Sequence, residues 1–474
     1  MAISPMLSTS QPTGAASGGR DPKFYTGRVI VAYPKGTMPS SLKALNNRTA
    51  LKASNIASAS DYARGNLQVA SMLQQSDAVR FDELDVLVVK DPQRLQGLSP
   101  ASVGSGPMPK MSPERIMYPA NLGILASPPG PSPDQLKELL QDLEDLLKKF
   151  RAGPGKPVPP GLGLSPSALF SDTSTTTWGL QAVQALSSSF TGQGVRVAII
   201  DSGIDSSHPD FANRSAGLVT QTFVNEPVDD VMGHGTHVAG TACGKRSGPI
   251  IYGLAPDAQL FIAKVVSQLA GAADADVVSA IRWAIQNNCQ IANMSLSAPA
   301  AQGDAFSDAM DQMAQNALQS GLLLVAAAGN EADVVPPLSN QHTGVRLDPP
   351  TAVGHPANCP HILAVGALTA DLAVAPYSNG GQSNPANGQI DFAAPGDQVV
   401  SSWPTSLSSP KPGYNVDSGT SMAAPHVTGL LALLSESLGG VGGLQLWQAA
   451  ALGKIKNLPG LLPRDVGFGM SLAT

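Results

Sequence analysis

The spacing of hydrophobic and polar positions changes several times along this chain, and each change marks a different kind of element. Gly27 to Tyr33 and Phe81 to Lys90 are short runs rich in β-branched residues that read as strands, with helical stretches between and after them. Arg115 to Pro119 is a candidate last strand of the same region. Ser132-Pro133-Asp134-Gln135 then opens a helix with an N-cap serine, a proline at the first position and a capping-box glutamine. Leucines 136, 139, 140, 143, 146 and 147, with Phe150, form one apolar stripe too short for a stable coiled coil, which points to docking on the protein's own surface. Pro/Gly-rich connectors, Ser127 to Pro131 and Gly153 to Pro160, flank it. Further on, Val197-Ala198-Ile199-Ile200 runs unbroken between Gly194 and Gly203, the pattern of a central parallel strand buried on both faces. Val427 to Leu434 reads as a buried helix.

At 474 residues the chain exceeds what one hydrophobic core organises, so two domains and a linker are expected. The pattern divides it into a disordered N-terminus (1–23), a patterned module (24–125), a linker holding the amphipathic helix (126–171) and a large α/β domain (172–474). A net charge of −6 without a basic stripe excludes nucleic acid as a partner, and no apolar segment is suited to spanning a bilayer. Cys243, Cys289 and Cys359 are odd in number and scattered, which argues against a disulfide framework and against zinc. The N-terminus shows no basic region followed by an apolar core, so no standard secretory signal is visible; the compartment stays open, with export by another route favoured over the cytoplasm.

Three segments carry chemistry. Asp201 ends the buried strand, where open α/β sheets place their reactive groups. Gly233-His234-Gly235-Thr236-His237 supplies a histidine among glycines that permit close approach. Gly419-Thr420-Ser421 delivers a serine to the mouth of the apolar helix, where a backbone N–H and the helix dipole suit an attacking oxygen. Ala423 stands where a Gly-x-Ser-x-Gly elbow needs its second glycine, and Ser421 taken alone is equally a helix cap. His234 and His237 stand three apart, but the Glu of a His-Glu-x-x-His zinc site is missing, so His237 is expected as a packed, hydrogen-bonded side chain. Asp205 and Asp210 are expected in turns, and His426 as structural.

In chain order these are Asp201, His234 and Ser421, and both wording and order resemble the subtilisin-like serine proteases, the subtilase family. Ile291 to Ser297, Val325 to Asn330, His355-Pro356-Ala357, Ile362 to Gly366 and Asp465 to Met470 also match in order. The resemblance implies an α/β fold, a doubly wound and mostly parallel sheet with helices on both faces, and a serine endopeptidase with Asp201, His234 and Ser421 as its triad. It implies Asn330 as side-chain oxyanion donor, with Ala270-Gly271-Ala272 and Ser295-Leu296-Ser297 as edges that hold an extended peptide. The primary pocket would be walled by Ser297-Ala298 and Ala327-Ala328-Gly329 with Gly354 at its base. Nothing charged is expected to line it, which suits a large apolar P1 residue, although Ser297 replaces the family's usual glycine and narrows the mouth. Leu296 and Val277 suggest a second apolar pocket, where Asp274 stands in place of a common aromatic.

No organic cofactor is implied. Calcium is left open without an assigned site, because Gly244 to Ile250 carries two cations and a proline where many family members have a calcium loop, and Asp210 stays as a candidate leftover ligand. Residues 24–125 resemble, in pattern, the small α+β prosegments of subtilases. That implies a zymogen whose own N-terminal segment is an intramolecular inhibitor, alongside polypeptide substrates as partners. An accessory recruiting module is the alternative for this region. Processing is expected between Gly153 and Thr177, with Leu169 or Phe170 at P1. The same site also fits a peptide transpeptidase or ligase, and an inactive peptide-binding scaffold is the reading from a different class.

Overall fold

The computed structural model describes residues 24–38, 51–62, 68–95, 108–120, 169–212, 214, 216–245, 250–300, 303–333, 346–381, 388–407 and 413–474. The amphipathic helix expected at 132–150, the N-terminus and most of the linker lie outside the described residues.

The N-terminal module comprises β1 (Tyr25–Ala32), β2 (Ile56–Ser58), α1 (Val69–Gln75), β3 (Ala78–Phe81), β4 (Val86–Val89) and β5 (Lys110–Pro119). Its sheet runs β5-β1-β4-β3-β2, antiparallel except for the β2–β3 pair. The single strand expected over Phe81 to Lys90 is two. A 3-10 turn at Asp82–Leu84 and a left-handed Asp85 (φ 52°) fold β3 back on β4, so Phe81 faces Val86. Asp85 tolerates that conformation because its carboxylate is used, accepting the Gly36 N–H at 2.7 Å and the Met38 N–H at 3.1 Å.

The large domain follows with α2 (Trp178–Ala182), β6 (Arg196–Asp201), β7 (Leu218–Thr222), α3 (His234–Cys243), β8 (Gln259–Lys264), β9 (Ala272–Ala273), α4 (Asp274–Gln286), β10 (Ile291–Met294), β11 (Leu296–Ser297), α5 (Asp308–Gln319), β12 (Leu323–Ala327), β13 (Leu363–Leu368) and β14 (Phe392–Pro395). It ends with β15 (Val399–Ser402), β16 (Tyr414–Asp417), α6 (Thr420–Ser437), α7 (Gly443–Leu452), β17 (Ile455–Lys456), α8 (Pro463–Val466) and β18 (Met470–Ser471). The sheet order is β17-β18-β14-β13-β12-β10-β6-β8-β7, parallel throughout except at β17. β6 stands where the strand order reverses, so its carboxyl end opens into the crevice such sheets use for chemistry.

Alternation along β6 sorts the core into two layers. Val197 and Ile199 pack with Val238, Val427 and Leu431 of α3 and α6, whereas Ala198 and Ile200 face Val278, Ile281, Met310 and Met313 of α4 and α5. The doubly wound α/β expectation is met. The second layer continues into the N-terminal module, whose Ile30, Val79, Phe81, Val86 and Val88 belong to the same buried cluster.

Polar contacts fix how the module sits. Ser112 Oγ accepts the Ala309 N–H at 3.2 Å at the start of α5, and Glu114 accepts the Ala275 N–H at 3.0 Å at the start of α4, so β5 satisfies donors that each helix leaves open in its first turn. Arg28 and Thr26 of β1 bond to the same Glu114 carboxylate. Glu83 takes a forked contact from Arg282 at 2.6 and 3.0 Å.

Candidate functional site

Asp201 is the last residue of β6, with one oxygen held by the Ser202 N–H at 2.7 Å. The same oxygen accepts from His234 Nδ1 at 2.7 Å, which fixes the tautomer and leaves Nε2 as the basic atom. Both side chains are fully buried. Burial works against the imidazolium, yet the charge and hydrogen bond of Asp201, helped by Asp417 and Asp230, outweigh it and raise the His234 pKa.

His234 opens α3 behind Gly233, whose φ of 89° suits glycine and where a Cβ would overlap the Trp403 ring. Asp230 holds this start in place: it accepts the Gly233 N–H at 2.8 Å, the Thr236 N–H at 2.8 Å, and the Thr236 and Ser202 hydroxyls at 2.7 and 2.9 Å. Sequence reasoning missed Asp230. Its one visible signal was an acidic residue four positions before a glycine-flanked histidine, which becomes a cap only once α3 is known to begin there.

Ser421 is the second residue of α6, so its N–H is one of the donors without an intrahelical partner. Pro425 lies inside this helix and has no N–H to give the Ser421 carbonyl, which takes the Ser295 hydroxyl at 2.8 Å instead. That bond ties the serine's turn to the strand carrying Ser295. The Ser421 hydroxyl donates to Ser295 O at 2.9 Å and accepts the Ala120 N–H at 3.0 Å. Asn330 presents its side-chain carbonyl to the Thr420 N–H at 2.9 Å and the Thr420 hydroxyl at 2.8 Å, close beside the Ser421 N–H.

The edges expected to hold a peptide already hold one. Strand β5 lies antiparallel between β9 and β11, pairing Ile116 with Ala273, Met117 with Ala272, Tyr118 with Ser297 and Pro119 with Leu296. The next residue, Ala120, donates its N–H to Ser295 O at 3.3 Å as well as to Ser421. The first edge thus sits slightly later than Ala270-Gly271-Ala272. Gly271 (φ 69°) faces the strand closely enough that a Cβ would come 2.7 Å from Met117 O. Asp274 is buried and accepts the Arg115 N–H at 2.8 Å and His355 Nε2 at 2.8 Å, gripping the strand by its backbone.

Where the primary pocket is expected, Gly354 donates to Ala328 O at 2.8 Å, which ties the two segments together. The Ser297 hydroxyl lies over Gly354, where a Cβ would overlap it, and 3.1 Å from where a Gly329 Cβ would stand. A Gly329 Cβ would also come 2.7 Å from Glu331 Oε2, so a carboxyl borders the pocket that was expected to have nothing charged. Burial raises the Glu331 pKa, opposed by the Asn379 amide that bonds to it at 2.5 Å.

The side chains read as structural are accounted for. His237 Nε2 bonds Val399 O at 3.0 Å, and burial followed by the nearby His234 charge lowers its pKa to about 3. His426 Nδ1 bonds Met422 O at 2.8 Å. Asp205 accepts from Ser207 and Thr405 in its turn. Asp210 is buried, accepts the Ser402 hydroxyl at 3.0 Å and faces His208; burial raises its pKa despite His208 and Arg214. A single carboxylate with those neighbours does not fit a hard dication, and no group of three or more metal-ligating side chains occurs among the described residues.

Comparisons with known proteins show what the chain as a whole is similar to. The chain is 36% identical over 248 residues to subtilisin E of Bacillus subtilis (strain 168), covering 52% of this chain and 57% of that one. It is also 36% identical over 248 residues to subtilisin of Bacillus pumilus, of which 79% is covered. The chain therefore spans a little over half the length of the first of these relatives. Among solved structures, fervidolysin from Fervidobacterium pennivorans, described as a keratinolytic enzyme related to subtilisin, aligns over 96% of this chain and 61% of its own with a TM-score of 0.57 and 20% identity, which shows a shared fold. Residues 192–459, more than half of the chain and bearing Asp201, His234, Asn330 and Ser421, match the subtilase family, and the protein belongs to that family.

Proposed function

We propose that this subtilase is a serine endopeptidase made as a zymogen, with Asp201, His234, Ser421 and Asn330 as its catalytic set and residues 24–125 as its own inhibitor. What carries the reading is one arrangement: a buried Asp201–His234 pair, a serine at a helix N-terminus, and an extended segment of the same chain paired on both sides across that serine.

In the resting chain the Ser421 hydroxyl is engaged by Ser295 O and Ala120 N–H, while His234 Nε2 is buried with no partner among the described residues. Attack requires the hydroxyl to turn from Ser295 O to Nε2, where the imidazole takes its proton and later returns it to the leaving amine. Asp201 holds the ring and favours the imidazolium formed in passing. The tetrahedral oxyanion is met by the Ser421 N–H and the Asn330 amide. Because Thr420 N–H can only donate, the Asn330 oxygen must face it, which turns the NH₂ group the other way.

Gly271, Ser295, Leu296, Ser297, Ala328, Gly329 and Gly354 bind substrate, by strand addition along Ser295-Leu296-Ser297 and through pockets for alternate side chains. Covalent labelling by a fluorophosphonate, lost in Ser421→Ala, tests the nucleophile. Product analysis with a peptide and a competing amine separates hydrolysis from transpeptidation. A protein that neither labels nor cleaves is a binding scaffold.

A further inference from the structure

We infer that the Ser297 side chain fills the base of the primary pocket, so that the enzyme selects alanine-sized P1 residues, and that its first cut is the peptide bond following Ala120. This rests on the endopeptidase and zymogen reading above.

The register identifies the bond. Ala120 is the residue whose N–H reaches both Ser295 O (3.3 Å) and Ser421 Oγ (3.0 Å), at the end of a strand paired residue by residue up to Pro119. In this register the next carbonyl along the chain, that of Ala120 itself, is the one offered to Ser421. Leu169 and Phe170, the P1 residues expected from sequence, are placed elsewhere. The Leu169 N–H bonds Asp371, the Phe170 N–H bonds Ala370 O, and Phe170 lies under Lys456, near none of the residues that hold β5.

The pocket agrees with the register. A peptide edge needs only backbone at position 297, so a glycine there would leave the space between Gly354 and Gly329 free. Ser297 instead puts its hydroxyl into that space, against both glycines. The side chain is buried, and its oxygen has no hydrogen-bond partner among the described residues, so no polar contact of the fold depends on it. The residue presented to this filled pocket is the small Ala120, itself buried. Three positions of β5 and the residue after it then describe the preferred substrate: Met117, fully buried between the two edges, half-buried Tyr118, buried Pro119 and Ala120.

The chemistry balances without any added reagent except water. Ser421 Oγ adds to the Ala120 carbonyl carbon while its proton passes to His234. The C–N bond to Asn121 breaks as that proton moves to the departing nitrogen. Water then hydrolyses the ester, releasing the Ala120 carboxylic acid and restoring the Ser421 hydroxyl.

Four full-length chains test this: wild type, Ser297→Gly, Ala120→Phe and the double variant, with the first new N-terminus sequenced and its rate of appearance followed. Wild type should yield Asn121 first. Ala120→Phe should slow that cut roughly tenfold or more, and adding Ser297→Gly should restore it, since pocket fit at this scale is worth about 10–200-fold. The restored rate excludes misfolding as the cause. Anilides of Met-Tyr-Pro-Ala and Met-Tyr-Pro-Phe should show the same reversal, with kcat/KM favouring Ala in wild type and Phe in Ser297→Gly. A first cut between Gly153 and Thr177, or a wild-type preference for Phe, overturns the inference while leaving the endopeptidase reading standing. Absence of both cutting and fluorophosphonate labelling sinks the two together.

Discussion

The Asn330 side-chain carbonyl lies 2.9 Å from the Thr420 N–H, so the first open donor of the nucleophile's helix is used to aim an amide. The NH₂ group is thereby turned away from Thr420 without help from substrate. Such a donor is worth most when charge has developed on the oxygen it faces. Asn330→Ala is expected to lower kcat by about 10²–10³, the size known for a side-chain oxyanion donor in subtilisin, with KM little changed. Steady-state kinetics on one peptide decide it; a change confined to KM would make Asn330 a binding residue.

Ser421→Ala and His234→Ala should lose hydrolysis to a similar extent, because nucleophile and base act as a unit; a loss of roughly 10⁶ in kcat is the scale seen for subtilisin. Both chains should remain full length on incubation while wild type is cut, and circular dichroism of Ser421→Ala should match that of the uncut wild type. Processing of Ser421→Ala at the wild-type rate would remove this serine from the mechanism.

The pH dependence follows from the Asp201–His234 pair. Buried carboxylates raise the His234 pKa above the ordinary imidazole value of about 6.5, and only the neutral ring can accept a proton from Ser421. The rate constant kcat should therefore fall as pH drops through that raised value, giving an acid limb with its midpoint above 6.5. Asp201→Asn should shift the limb down and lower the plateau. An acid limb below 6.5 in wild type would contradict the pairing.

Glu114 belongs to the seated strand itself and is buried, and burial raises its pKa while Arg28 opposes the rise. It serves both Arg28 of β1 and the Ala275 N–H of α4. Removing one member of a fully buried pair costs about 3–5 kcal/mol; Arg28 retains some exposure, so about 2 kcal/mol is expected for Glu114→Ala. That is about thirtyfold. It should be read in the lag before the processed enzyme reaches full activity, which should shorten by that factor if the segment is the inhibitor. An unchanged lag would assign the module another task.

Much of the candidate site was legible because its information is local. The glycines around His234, the buried run ending at Asp201 and the apolar helix behind Ser421 each carry their meaning within about ten residues. The two faces of β6 and the parallel sheet follow from the same runs. Phe81 to Lys90 was misjudged as one strand because apolar residues on both sides of Asp82-Glu83 continue the pattern, and only the Asp85 carboxylate reaching Gly36 and Met38 shows where the chain turns.

What the tertiary structure alone decided concerns pairs far apart in sequence. Asp230 becomes a cap only when α3 starts above it, and Ser295 becomes the acceptor for the Ser421 hydroxyl only when two strands and a helix meet. Ala120 meets Ser421 across 301 positions because β5 is held in one register by Glu114, Asp274 and the β9 and β11 edges. A shift of one residue in that pairing would present a different bond and turn every side chain of β5 to the other face. Composition and period specify that such a strand exists; its register, and with it the residue offered to the nucleophile, is set by packing between surfaces that the linear chain does not place side by side.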